Sequence, residues 1–157
     1  PNLEDVALLV GAQTIGALTS NPLWGWWGDH MGKSHLLQTI SLGRMIPPTM
    51  VLLIGFAFPI QGQALLIAYL AIFFLLGALT NGLTIAVIGY LMEISPDDRR
   101  PAYSGYFNAL TAPAFLLPWI GGYFATTVGL IPVFTVSLLA AIAQFLTIRL
   151  MRIVKPA

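Results

Sequence analysis

The chain has 157 residues, of which 57% are hydrophobic and 8% are charged, and its mean hydropathy is +0.84. This composition excludes a soluble globular domain and indicates a polytopic membrane protein. The formal net charge of +1 gives no indication of nucleic-acid binding. The chain has no cysteine, which excludes disulfides, thiol chemistry and a Cys-based metal site.

Five apolar stretches are long enough to cross about 30 Å of hydrocarbon as helices, which takes about 20 residues at 1.5 Å per residue. They are continuous apolar runs rather than short alternating segments, so transmembrane strands do not fit. The sequence therefore predicts an all-α, polytopic membrane helix bundle of five transmembrane helices, forming one membrane domain over residues 1–157. The predicted spans are about 6–27, 36–58, 64–92, 102–127 and 130–148.

Basic residues follow the first, third and fifth predicted spans, and the other connections carry no base. They are Lys33 after the first span, Arg99 and Arg100 after the third, and Arg149, Arg152 and Lys155 after the fifth. The positive-inside rule assigns these connections to the cytoplasm. We therefore expect the N-terminus outside, the C-terminus in the cytoplasm, and the plasma (inner) membrane as the location.

The connection after the first span has a distinctive pattern of glycines and charges. It contains Gly25, Gly28 and Gly32, with Asp29 after the second glycine and Lys33 after the third. Glycines allow two helix ends to pack closely around a tight turn. An acid at the start of the next helix would face its positive dipole end. The alternative is an ordinary positive-inside loop in which the acid is a helix cap.

This connection resembles the loop signature of the major facilitator superfamily, which runs roughly Gly-x-x-x-Asp-Arg-x-Gly-Arg-Lys after the second helix, with a degenerate copy after the eighth. Gly25, Asp29, Gly32 and Lys33 match it, and His30 stands where an arginine is usual. The resemblance implies that the acid and the base belong to a charge relay that holds the cytoplasmic side closed.

Halves of this family have six helices each, so five spans with the signature after the first indicate an incomplete six-helix half. The chain begins with Pro1, and we expect it to be a fragment of a twelve-helix carrier. Its spans would be helices two to six or eight to twelve. The degenerate signature and the short basic tail favour eight to twelve, with the missing N-terminal half of the same chain as a partner.

A second charged connection, residues 93–100, follows the third span. Pro96 ends that span, because proline lacks a donor and disfavours helix in the preceding residue. The two aspartates after it can cap the approach to the fourth span. Family members often carry an acid, a proline, a further acid and an arginine here, which adds Glu93, Arg99 and Arg100 to the predicted gating loop. The alternative is that these residues only end one helix and begin the next, without a gating role.

The fourth span contains Pro113 and Pro118, followed by Gly121 and Gly122. Two prolines remove two backbone donors, which predicts a bend. The Pro-x-x-Gly-Gly element resembles one found in the eleventh helix of the family, and Leu117 replaces the glycine of the related antiporter element. The alternative is a bent, closely packed helix without a transport role.

Polar residues inside spans are costly unless they pair or line a wet cavity. They form stripes at helical spacing on the first, third and fourth spans. The candidate substrate-pathway residues are Gln13, Ser20, Asn81, Thr84, Asn108, Thr111 and Trp119. For each of them, a hydrogen bond to a neighbouring helix is the competing interpretation. Arg44, a strong base within the second span, either binds an anionic substrate or has a structural role, and we favour the latter.

Enzymatic function finds little support. The histidines at 30 and 35 have one acid nearby and no third ligand, so no metal site is predicted. There is no phosphate-binding loop. We expect a secondary transporter of a small solute that works by alternating access in the lipid bilayer, without a cofactor or nucleic acid. A coupling proton or ion is left open, as is the alternative of a scaffold or regulatory subunit that binds partner helices.

Overall fold

The computed structural model describes residues 3–56 and 61–150. In chain order the helices are α1 (Leu3–His30), α2 (Lys33–Gly43), α3 (Ile46–Phe56), α4 (Gln63–Ile94), α5 (Arg100–Thr111), α6 (Leu117–Thr127) and α7 (Leu130–Leu150). A 3-10 segment, Ala112–Leu116, joins α5 to α6. These two ranges contain no strand. The predicted all-α membrane helix bundle is confirmed.

Among the described residues, four helical stretches are long and apolar enough to cross a membrane. They are Leu3–His30, Lys33–Phe56, Gln63–Ile94 and Leu130–Leu150. The fifth predicted span, 102–127, is built from α5, the 3-10 segment and α6 rather than from one regular helix. The five-span topology stays a prediction.

The two prolines of the fourth predicted span lie near the starts of successive helical segments. Pro113 is the second residue of the 3-10 segment, where its missing N–H interrupts the bonding pattern of α5. Pro118 is the second residue of α6, in a first turn where an N–H has no partner within the helix in any case. Gly121 and Gly122 lie in α6, and a Cβ added to either would meet nothing within 4 Å. Within the described ranges, these two glycines therefore do not serve a close helix contact.

The second long stretch is interrupted between α2 and α3. Arg44 caps the end of α2, and its N–H donates to the carbonyl of Ile40 at 2.9 Å. Pro47 and Pro48 fall in the first turn of α3, where an N–H has no partner within the helix in any case. The prolines are therefore accommodated by starting a new helix rather than by distorting an existing one.

The closest helix contact in the described bundle is the crossing of α1 and α4. A Cβ on Gly16 would overlap the backbone carbonyl of Phe74, and a Cβ on Gly77 would overlap that of Gln13. The two backbones thus touch directly, with no side chain between them. Two reciprocal glycines, one from each helix, make this approach possible.

Side-chain hydrogen bonds continue the α1–α4 contact beyond the glycines. The indole Nε1 of Trp24 donates to the carbonyl of Ala78 at 2.8 Å. The amide of Asn81 donates to the carbonyl of Ala17 at 3.2 Å and also to the side-chain oxygen of Asn21. Because these donors lie in apolar surroundings, each bond satisfies a group that would otherwise be costly to bury.

The buried apolar core lies where α2 packs against α4. Leu36 and Ile40 of α2 are fully buried, and they contact Leu79 and Ala86 of α4. The α7 helix packs against α2 and α3, and none of α5, α6 and α7 contributes a buried residue. The described bundle therefore has a tightly packed centre of α1, α2 and α4, with the C-terminal helices α5, α6 and α7 at its periphery.

The glycine crossing can be tested with two alanine substitutions on the same helix. Gly16→Ala should lower the free energy of unfolding by ~1–3 kcal/mol or more, as overpacking does in cores, because Cβ would collide with the Phe74 backbone. Gly11→Ala is the matched control, since nothing lies within 4 Å of its added Cβ. Thermal unfolding in detergent micelles measures both. Equal changes in the two variants would contradict the crossing.

Candidate functional site

Asp29 and Lys33 form an ion pair at the turn between α1 and α2. Lys33 Nζ donates to Asp29 Oδ1 at 2.6 Å. Gly32, between the helices, has φ +88°, a left-handed conformation that favours glycine. With 28 residues, α1 extends about 42 Å, so its last turn reaches past about 30 Å of hydrocarbon. The length of α1 is therefore sufficient to place this pair outside the hydrocarbon.

The expectation that Asp29 begins the second helix is wrong. Asp29 lies in the last turn of α1, and Lys33 is the first residue of α2. A carboxylate at this end faces the negative end of the α1 dipole, which disfavours it. The Lys33 ammonium offsets that disadvantage because it sits within hydrogen-bonding distance of the carboxylate.

The Lys33 side chain runs between two glycines from different helices. A Cβ on Gly28 of α1 would lie 3.1 Å from Lys33 Nζ, and a Cβ on Gly89 of α4 would lie 3.0 Å from Lys33 Cδ. The sequence reasoning did not identify Gly89. Its seven-residue spacing from Gly82, which is two helical turns, was a signal that both lie on one face of α4. Gly25, by contrast, has nothing within 4 Å of an added Cβ.

The two histidines of this turn hydrogen-bond to neighbouring tryptophans. His30, which stands in place of the usual arginine, donates from Nδ1 to the carbonyl of Trp26 at 2.8 Å. Trp27 Nε1 donates to His35 Nδ1 at 3.3 Å, and their rings are stacked with centroids 6.3 Å apart. Residues 3–56 and 61–150 contain no group of three or more acids and histidines that could hold a metal ion.

The charges of the second connection pair with one another. Arg100 Nη2 lies 2.7 Å from Asp97 Oδ1, and Arg99 Nε lies 3.6 Å from Asp98 Oδ2. The expectation that these aspartates cap the next helix is wrong, because the N-cap of α5 is Arg99, without a side-chain cap bond. The aspartates instead neutralise the arginines.

The predicted gating loop therefore consists of two separately paired groups. The ion pair of the first connection involves Asp29 and Lys33 only, and the second connection pairs within itself. Glu93 lies one turn beyond Gly89 on α4, and it forms no salt bridge with any described residue. Its position places an acid on the face of α4 that meets the Lys33 stem.

Two grooves bring most of the candidate pathway residues together. The α1–α4 groove has a volume of about 410 Å³, and Gln13, Asn81 and Thr84 lie along it. The α4–α5 groove has a volume of about 460 Å³, and it is lined by Thr84, Asn108 and Thr111. Thr84 belongs to both, so the grooves adjoin on one side of α4. Polar residues from three separate predicted spans thus lie in one continuous groove region whose other walls are largely apolar.

Two candidate residues lie apart from these grooves. Ser20 is 8% exposed and donates to the carbonyl of Ala17 at 3.1 Å within its own helix. Trp119 on α6 is 77% exposed and lines neither groove. The amide of Asn81 both faces the α1–α4 groove and bonds across to α1, so the pathway interpretation and the packing interpretation each describe part of its surroundings.

Arg44 has a structural partner on the last helix. Its Nη1 donates to Gln144 Oε1 on α7 at 3.1 Å, and the side chain is half-buried. Arg44 lines neither groove. The bond ties the junction of α2 and α3 to α7, as the structural interpretation of this residue requires.

The position of Lys33 between glycines predicts a specific effect of Gly89→Ala. The new Cβ would crowd the Lys33 stem and displace the ammonium from Asp29. Acetylation of Lys33 by a water-soluble acylating reagent should then become about twofold faster, the scale of an exposed i,i+4 ion pair. Mass spectrometry reads this directly, because Lys155 is the one other lysine in the sequence. Gly25→Ala is the matched control, and an equal rate increase there would refute the interpretation.

The chain was compared with protein families, curated proteins and solved structures. A family model described as Major Facilitator Superfamily matches residues 2–157. The comparisons with curated proteins and with solved structures give no significant match. The family match covers almost the whole chain and agrees with its apolar helices. The resemblance seen in the two charged connections is therefore confirmed, and the chain belongs to the major facilitator superfamily, a family of integral membrane transporters rather than enzymes.

Proposed function

We propose that this chain is part of a secondary carrier that moves a small solute across the plasma membrane by alternating access. Membership of the major facilitator superfamily supports a membrane transporter. The observation that carries the mechanism is the pair of adjoining grooves that share Thr84 and hold polar side chains among apolar ones. Polar side chains from α1, α4 and α5 would be costly against lipid, so a solute pathway gives them a role.

The chain would supply helices eight to twelve of a twelve-helix carrier, with an N-terminal half facing the grooves. The chain would cross the membrane five times, and α5, the 3-10 segment and α6 together would make the fourth crossing. Its N-terminus would then lie outside and its C-terminus in the cytoplasm. The charged turns at residues 29–33 and 97–100 support this orientation, because both would then lie on the cytoplasmic side.

The Asp29 and Lys33 pair would hold the cytoplasmic side closed. The glycine contacts support this role, because they leave the Lys33 stem little space except between α1 and α4. Glu93, one turn beyond Gly89, would be a second acid within the same cytoplasmic layer. The pairs at Asp97 and Asp98 would shape the neighbouring turn.

Single cysteines test whether the grooves form a water-filled pathway, and the absence of native cysteine makes the labelling specific. Thr84→Cys should react with a membrane-impermeant maleimide in the intact protein. Thr135→Cys on α7 is the matched control. Both threonines are exposed on the described chain, and both hydroxyls donate to a carbonyl of their own helix. We expect Thr135 to face lipid and its cysteine to stay unlabelled.

Labelling confined to Thr84→Cys would support the carrier. Equal protection of both cysteines would contradict it and would favour a scaffold whose helices are covered by partners.

If the Asp29 and Lys33 pair is a latch that holds the cytoplasmic side closed, Asp29→Asn should favour opening on that side. This change removes the charge at nearly constant shape, so membrane insertion should be unaffected while the closed-inside state loses an exposed ion pair. We expect the accessibility of a cysteine at Thr84 from the cytoplasmic side to increase about twofold. This is the change that loss of one exposed ion pair produces. Asp98→Asn is the control, because its pair with Arg99 is local and longer.

If Asp29→Asn leaves the accessibility of the cysteine at Thr84 unchanged, the latch is ruled out. The pathway is tested separately, by the labelling of Thr84→Cys and Thr135→Cys.

A further inference from the structure

We propose that the α4–α5 groove recognises an uncharged solute that donates hydrogen bonds and carries an apolar portion. This inference rests on the proposed carrier function and concerns the chemistry of its solute. It follows from which polar atoms the groove leaves free and from the charge of its walls.

The threonine hydroxyls of the groove have already used their hydrogens. Thr84 Oγ1 donates to the carbonyl of Thr80 at 3.2 Å, and Thr111 Oγ1 donates to that of Phe107 at 2.8 Å. A hydroxyl has one hydrogen and two acceptor lone pairs. Both oxygens can therefore only accept a hydrogen bond from a solute in the groove. The other two polar lining residues, Ser104 and Asn108, can each donate and accept, so the balance of the groove favours a solute that donates.

The interruption of the fourth predicted span adds a backbone acceptor nearby. The carbonyl of Ala109 would normally bind the N–H of residue 113, but Pro113 has none. The N–H of Ala112 is committed to the carbonyl of Asn108. This turn of α5 therefore has one backbone carbonyl without an α-helical donor, on a residue next to Asn108 of the groove lining. Non-helical backbone at membrane depth is tolerated where it is covered by protein or lines a water-filled cavity, in keeping with a pathway here.

The walls of the groove set the other two properties of the solute. Seven of the eleven lining residues are apolar, among them Phe107 and Phe115, and none of the eleven is charged. A charged solute would lose hydration here without meeting an opposite charge, which is expensive. An uncharged solute with one apolar side loses less, and its donors meet the threonine oxygens.

Four benzene derivatives of similar size separate these requirements. Benzyl alcohol is neutral and donates, benzyl methyl ether is neutral and cannot donate, benzylammonium is a cation and benzoate is an anion. Binding to the intact protein in lipid nanodiscs is measured by saturation-transfer NMR, with protein-free nanodiscs as the blank. Benzyl alcohol should bind at least about threefold more tightly than the ether, within the range of one net hydrogen bond, and more tightly than either ion.

Variants assign this preference to the groove. The double variant Thr84→Val with Thr111→Val keeps the shape but removes both acceptors, so benzyl alcohol and its ether should bind equally. Thr111→Ser, which keeps a hydroxyl, should retain the preference. Thr135→Val on α7 is the matched control, because its hydroxyl makes the same kind of bond outside both grooves.

Equal binding of the alcohol and the ether, tighter binding of an ion, or a preference that survives the double variant would each overturn the inference. The maleimide labelling of Thr84→Cys is a separate readout. If that cysteine is labelled while the alcohol shows no preference, the carrier function stands and the solute class is wrong. If it is protected, the proposed function itself fails.

Discussion

The direct backbone contact between α1 and α4 is the constraint on which the rest of the bundle depends. Gly16 and Gly77 let each helix approach the other's carbonyls, and any Cβ there would push the helices apart. Once this crossing is fixed, Asn81 is one turn away from it and reaches α1 with its amide. Lipid offers no hydrophobic force to drive helices together, so close packing and these hydrogen bonds must do so.

The same crossing gives α4 two distinct faces. One face carries Gly82 and Gly89 and receives apolar side chains of α2 and the stem of Lys33. The other carries Asn81 and Thr84 and lines both grooves. Because a helix is rigid over these few turns, a change in the α1–α4 distance moves the grooves and the Lys33 contact together. On the proposed mechanism, this mechanical link joins the solute pathway to the cytoplasmic turn.

Hydropathy and loop chemistry predicted the fold class and the family, because continuous apolar runs and spaced glycines are local signals in the sequence. The same reasoning placed Asp29 at the wrong helix end, since helix boundaries shift by a few residues when tertiary contacts such as that of Lys33 decide them. Gly89 was missed because its role depends on a residue far away in the chain. Ser20 shared a stripe with Gln13, yet its hydroxyl is buried against its own helix, and spacing alone does not reveal which neighbour covers a side chain.

The ion pair of Asp29 and Lys33 would suit the proposed gate, which must open repeatedly. The Asp29 side chain is 70% exposed, so water competes with the pair and the charge attraction alone holds it weakly. A buried pair would resist opening strongly, because breaking it leaves uncompensated charge. The glycines at 28 and 89 provide the specificity that the weak attraction lacks, since they determine where the lysine stem can lie. Under alternating access, the fit of the lysine stem between the two glycines would therefore define the closed state. The exposed ion pair would break easily, so that the closed state could open quickly.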